Sequence, residues 1–142
     1  MSSDSVEILL VEDNSSHAEM TIRALRKHGI SNHIQVARDG AEAVEFLFSN
    51  GPKPGGVPRL VLLDLKLPKI DGIEVLRRIK GDPRTQKIPV VMLTSSHEDH
   101  DLQACYELGV NSYIVKPVDF QQFTDAVRSL GLYWMLLNRF PT

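Results

Sequence analysis

The sequence predicts an α/β fold, a doubly wound five-stranded parallel sheet with an extended C-terminal helix and tail. Three observations carry that prediction. From Val6 to about Leu130 a short apolar run alternates, five times over, with a segment whose apolar residues fall three and four apart, the pattern of βαβ units. The runs are continuous in Val, Ile and Leu, as in strands buried on both faces. Polar groups then close them: Glu12-Asp13 after VEILLV, Asp64 after RLVLL, Thr94 after VVML and Lys116 after SYIV. In open α/β sheets, chemistry gathers at such strand ends.

Strands are predicted near 6–12, 33–37, 60–64, 89–93 and 112–115, and helices near 15–28, 40–48, 73–80, 99–108 and 119–130. In the first helix Ala18, Thr21, Ile22 and Leu25 share one face, and in the fourth Leu102, Cys105 and Leu108 do, which marks both stripes as core. Asn14, Asp39 with Glu42 three residues on, and Asp71 with Glu74 three on have the form of N-terminal caps. Gly29 and Gly109 stand where helices should stop. The stretch SNGPKPGGVPR at 49–59 is dense in Pro and Gly and reads as an adaptable surface loop without chemistry.

Length and charge limit the possibilities. A chain of 142 residues fits one domain, with a core at about 6–130 and an apolar extension at 131–142. A net charge of -2 and the absence of a basic run argue against nucleic acid as the main partner. The single cysteine, Cys105, has no internal disulfide partner and reads as a small buried hydrophobe. MSSDSVEI lacks the basic start and apolar stretch of a signal peptide, and no apolar run approaches the roughly 18–20 residues that span a bilayer. A soluble cytoplasmic protein is the expectation.

With connections on both faces, the strand order 2-1-3-4-5 puts the switch point between the first and third strands, where Glu12, Asp13 and Asp64 would meet. Carboxylates forced together repel unless a cation is shared, and a hard all-oxygen set suits Mg²⁺. Because Mg²⁺ favours one or two carboxylates plus substrate phosphate, a phosphoryl group is the expected missing partner. Singly, Glu12 and Asp13 would read as helix-start charges and Lys116 before Pro117 as a turn residue; the coincidence of the strand ends overturns those readings. His97 and His100 read as solvated.

The motifs LLVEDN, LLDLKLPKIDG, VVMLTSS and SYIVKP, in this order and spacing, resemble the receiver domain of two-component response regulators over nearly the whole chain. The resemblance implies a flavodoxin-like (CheY-like) fold with Asp64 as phosphoacceptor for a sensor histidine kinase. It implies Mg²⁺ on Asp13, on Glu12 directly or through water, on Asp64, and on the backbone carbonyl of Lys66. It implies Lys116 paired with the phosphoryl oxygens, Thr94 offering its hydroxyl to them, and Tyr113, taken as an aromatic two strands over, turning inward as Thr94 moves. It further implies a cis Lys116-Pro117 bond and an output face of fourth helix, fifth strand and fifth helix. Glu12 replaces the family's frequent Asp, while Lys66 and Ser96 fall at positions that tune phosphate lifetime. Such a chain catalyses only its own phosphorylation and dephosphorylation.

In the last helix Phe120, Phe123, Val127, Leu130, Trp134 and Leu137 make a core face, while Leu132, Tyr133, Met135, Leu136 and Phe140 put apolar groups on the other faces. Exposed patches of that kind mark interfaces. The tail, the Pro-rich loop and LPK after Asp64 resemble the single-domain regulators paired with phytochromes in cyanobacteria, which implies a homodimer through the last helix and tail and a phytochrome-type kinase. A stand-alone regulator acting through protein contacts is the leading function. A phosphate relay or sink and a non-phosphorylated scaffold receiver are the alternatives. A phosphatase with an Asp nucleophile is disfavoured because Lys66 stands where the dehalogenase type needs a second Asp; a nucleotide site lacks GxGxxG and GxxxxGK[ST].

Overall fold

The computed structural model describes residues 6–27, 29–30, 33–49, 57–94 and 99–130, with the backbone alone at 99–102. The expectations for the tail at 131–142, for Ser96 and His97, for the side chains of His100 and Leu102 and for the middle of the Pro-rich loop lie outside those residues.

Among the described residues five strands, β1 (Ile8–Val11), β2 (Ile34–Ala37), β3 (Leu60–Asp64), β4 (Val90–Thr94) and β5 (Ser112–Val115), alternate with five helices, α1 (Ser15–Lys27), α2 (Gly40–Phe48), α3 (Gly72–Lys80), α4 (Asp99–Glu107) and α5 (Phe120–Ser129). The strands pair all-parallel in the order β2-β1-β3-β4-β5, so the expected flavodoxin-like order is borne out. Every residue of β1, β3 and β4 is buried, because helices cover both faces of a parallel sheet.

Alternation along the strands divides the core. Ile8, Leu10, Leu60, Leu62, Val91, Leu93 and Ile114 face Ala18, Leu25, Phe123 and Val127 of α1 and α5. Leu9, Val11, Val61, Leu63, Val90 and Met92 face Ala43, Leu47, Val75, Leu76, Ile79 and Cys105 of α2, α3 and α4. The period of two in β1 and the period near 3.6 in α1 thus bury the same set of side chains from two sides. Cys105 is fully buried.

Local signals hold as well. His17 N–H donates to Asn14 Oδ1 at 3.0 Å, Glu42 N–H to Asp39 Oδ1 at 2.7 Å and Glu74 N–H to Asp71 Oδ1 at 2.9 Å, which satisfies amide groups left over at helix starts. Gly29 and Gly109 take φ of 89° and 96°, the left-handed conformation that lets a helix stop. The Lys116-Pro117 bond is cis. Among the described residues no helix is long and apolar enough to cross a membrane.

The β3–α3 connection is wedged against its surroundings. A Cβ on Gly40 would lie 1.8 Å from the Ile70 carbonyl oxygen, and one on Gly72 would lie 2.2 Å from that of Asp64. Lys69, at φ 68°, turns this loop in a left-handed step and pairs with Asp39 at 3.4 Å. The backbone that follows Asp64 is therefore fixed by α2 and α3 together.

Candidate functional site

Parallel strands in register bring their C-terminal ends to one edge. Val11 pairs with Leu63, so the residues that follow them, Glu12 and Asp64, stand side by side, and Asp64 pairs with Leu93 one step before Thr94. Glu12, Asp13 and Asp64 each offer a carboxylate oxygen within 4.8 Å of the others. The sequence-predicted acidic cluster is thus brought together, with Glu12 and Asp64 buried and Asp13 exposed.

Lys116 reaches the cluster from the end of β5. Its ammonium donates to Asp64 Oδ2 at 2.8 Å and to Glu12 Oε1 at 2.9 Å, and its side chain is only 11% exposed. Burial by itself disfavours the ammonium, but the bonds to Asp64 and Glu12 outweigh it and hold the lysine proton more tightly than usual. Glu12 also holds its proton more tightly, but against its charged form. Burial, then its hydrogen-bonded contact with Asp64, raises its carboxyl from an ordinary 4.5 to about 7 even though Lys116 pulls it down. The two carboxylates carry more negative charge than one lysine offsets, and a hard cation would relieve the excess.

Both oxygens of Asp64 are oriented. Oδ1 accepts from the Lys66 backbone N–H at 3.1 Å, and Oδ2 from Lys116. The Glu12 carboxylate accepts from Asn14 N–H at 3.2 Å as well as from Lys116. A surface cleft of about 480 Å³ opens on Asp13 and Lys66, walled by Leu67, Pro68 and Asp71. The donor set is all oxygen, with an exposed member at the mouth of the cleft, and this fits Mg²⁺ or Mn²⁺ better than softer metals.

Thr94 is 2% exposed and its carbonyl accepts from Lys116 N–H at 2.7 Å, so it lies beside the lysine at the sheet edge. Tyr113 is half-buried and packs edge-on against the exposed Tyr106, ring centroids 6.5 Å apart at 84°. One expectation needs correction: Tyr113 is not two strands over from Thr94. Met92 pairs with Tyr113 and Thr94 with Val115, so the two residues are on adjacent strands, offset by two pairs along the ladder and therefore on the same face.

Sequence reasoning missed three contributors. His17, on the first turn of α1, has Nδ1 3.2 Å from Lys116 Nζ, beside a cavity of about 270 Å³ between α1 and the Lys116-Pro117-Val118 segment; nothing in its exposed helical position signals that contact. Asp119 caps α5 by accepting from Gln122 N–H at 2.8 Å, and the Gln122 side chain turns back onto β5. Here the spacing Asp119 to Gln122 repeats that of Asp39 to Glu42, so the signal was available.

A parallel sheet in this order, with an acidic cluster and a lysine at its C-terminal edge, defines a signalling receiver. The family model of the response regulator receiver domain matches residues 8–128, and the chain belongs to that family of two-component signalling proteins. It is 45% identical over 134 residues to the probable methanogenesis regulatory protein FilR2 of Methanothrix harundinacea (strain 6Ac), covering 94% of this chain and 86% of that protein. It is 39% identical over 133 residues to response regulator Rcp1 of Synechocystis sp. (strain ATCC 27184 / PCC 6803 / Kazusa), covering 90% and 88%. The bacteriophytochrome response regulator AtBRR superposes with a TM-score of 0.84 at 53% identity, over 96% of this chain and 99% of that one. The Mn²⁺-bound form of Rcp1 gives 0.73 at 37%, over 96% and 98%. The expected likeness to phytochrome-associated regulators is borne out. Receiver domains pair with sensor histidine kinases, bind Mg²⁺ or Mn²⁺ at an acidic cluster and are generally not enzymes in their own right.

Proposed function

We propose that this chain is a stand-alone response regulator whose Asp64 accepts a phosphoryl group from a sensor histidine kinase in a Mg²⁺-dependent reaction. The observation that carries the proposal is the pair of contacts from Lys116 Nζ to Asp64 and Glu12, with Asp13 alongside. An Asp64 oxygen attacks the phosphorus of a phosphohistidine, the P–N bond breaks, the imidazole leaves with the bonding electrons, and an acyl phosphate remains on Asp64. Asp13, Glu12, Asp64 and the Lys66 carbonyl would hold the ion, which offsets charge on the transferring group when bound. Lys116 holds the aspartate oxygen in place before transfer and pairs with a phosphoryl oxygen after it. Thr94 supplies a hydroxyl to the same oxygens.

The added charge of about 1.5 to 2 units at one spot is also the signal. Thr94 and Tyr113 lie on one face of β4 and β5, which supports a switch in which movement of the first lets the second turn in and reshapes the surface of α4, β5 and α5. Similarity to a bacteriophytochrome response regulator supports a phytochrome-type kinase as donor. The apolar sequence at 131–142 supports a homodimer, and its removal should shift sedimentation to monomer.

The test is phosphoryl loading. With Mg²⁺ and acetyl phosphate the wild type should gain the mass of one phosphoryl group and Asp64→Asn none. Equal gain in both would sink Asp64 as acceptor, and no Mg²⁺-dependent gain in either would leave the scaffold reading.

A further inference from the structure

We infer that Gln122 is a positioning residue for Lys116, a clamp on the backbone either side of the lysine that sets where its ammonium falls. Among the described residues β5 is an edge strand, paired with β4 on one side only. On that side Lys116 N–H donates to the Thr94 carbonyl at 2.7 Å. Because backbone groups of successive strand residues point to opposite sides, Val115 turns its N–H and C=O outward, where no further strand among the described residues receives them. Gln122 takes that role. Its Oε1 accepts from Val115 N–H at 3.2 Å and its Nε2 donates to the Val115 carbonyl at 3.1 Å. A carboxamide carries one acceptor and two donor hydrogens, and besides Val115 the Nε2 reaches the Pro117 carbonyl at 3.1 Å, with Asp119 Oδ2 farther off at 3.4 Å.

The result is a bracket. The residue before Lys116 and the residue after it are both tied to one side chain, and the backbone N–H of the same glutamine is seated by the Asp119 cap at the start of α5. A helix-capping carboxamide needs only its neighbouring amide groups; this one reaches seven residues back to the strand and five to the proline. From the bracketed backbone the Lys116 side chain extends to Asp64 and Glu12. A slack backbone would let that ammonium stay in solvent or sit on Glu12 alone. The acidic cluster found among the described residues, Glu12, Asp13 and Asp64, sits at the ends of β1 and β3 with no member on β5, so loosening Lys116 removes none of its carboxylates.

This inference rests on the phosphoacceptor reading, and one experiment separates the two. Full-length wild type, Gln122→Met and Gln122→Glu are loaded with acetyl phosphate and Mg²⁺ while intact mass is followed, with Mg²⁺ affinity measured by calorimetry on the same samples. Met matches the length but neither donates nor accepts. Glu keeps the acceptor for Val115 N–H but cannot donate to the Val115 and Pro117 carbonyls, and it serves if the Met variant does not fold. Both should load roughly tenfold more slowly, short of the hundredfold that about 1 Å of misplacement can cost, with Mg²⁺ affinity no weaker than wild type. In a Lys116→Met background, Gln122→Met should add nothing. Unchanged loading rates, a parallel loss of Mg²⁺ affinity, or an undiminished tenfold loss without Lys116 would each overturn the clamp. A wild type that takes up no phosphoryl group would defeat the phosphoacceptor reading and the clamp with it.

Discussion

Exchanging Glu12 for Gln should stabilise the metal-free protein while weakening its hold on Mg²⁺. The carboxyl is 1% exposed, and burial beside Asp64 raises it from 4.5 to about 7. Below about pH 4.5 it carries its proton in both folded and unfolded chains. Between that value and about 7 the folded chain keeps a proton that the unfolded chain releases, so stability falls as pH rises and the loss is complete above about 7. At about 1.4 kcal/mol for each pH unit of that interval, the loss reaches about 3 kcal/mol. Gln has the same length, still offers Lys116 an acceptor and does not titrate. Urea unfolding in chelator at a series of pH values should therefore give wild-type and Glu12→Gln curves that agree near pH 4.5 and separate to about 3 kcal/mol, variant higher, near pH 7.5. Excess Mg²⁺ should raise the wild type more than the variant and close the gap. Parallel curves across the whole range, or a variant less stable than wild type near neutrality, would refute the assignment of Glu12 as a buried carboxyl held against its preference.

Other positions give sharper structural tests. Gly40→Ala puts a Cβ 1.8 Å from the Ile70 oxygen and should cost at least about 2 kcal/mol by urea midpoint, with Mg²⁺ affinity falling too because the loop carrying Lys66 must shift. Phe123→Ala empties the core under α5, where the ring is 1% exposed, and should cost about 3–5 kcal/mol in the same assay. Asp71→Ala removes the acceptor for Glu74 N–H and should cost about 1 kcal/mol by thermal melting. Lys116→Met leaves buried Glu12 and Asp64 without their cation and should cost about 3 kcal/mol in chelator, much of it recovered by Mg²⁺.

Much of this architecture could be read from the chain because its signals are short-range. Caps at Asp39 and Asp71 depend on residues three positions apart, and the apolar runs fix which stretches are buried on both faces. Strand order then predicted that Glu12 and Asp64 meet. The same order makes β4 and β5 neighbours, so the misplacement of Tyr113 relative to Thr94 was an error of inference and not a missing signal. Other features had no local trace. The sequence around Gly40 reads as a helix start; only the packed β3–α3 loop reveals that no side chain fits there. His17 against Lys116 depends on the angle at which α1 leaves β1, and periodicity carries no information about that angle.

The Lys116 contacts also say something about the order in which the molecule can be made. Glu12 and Asp64 precede their cation by 104 and 52 residues along the chain. As the polypeptide leaves the ribosome, both carboxylates emerge well before the lysine exists, and without a cation to offset them they favour hydration over burial. Closing such long loops is slow compared with forming a helix. The charge cluster is therefore completed late, when β5 arrives with only α5 still to follow, and a nascent chain cut short before β5 should hold its first three strands more loosely than the finished protein does.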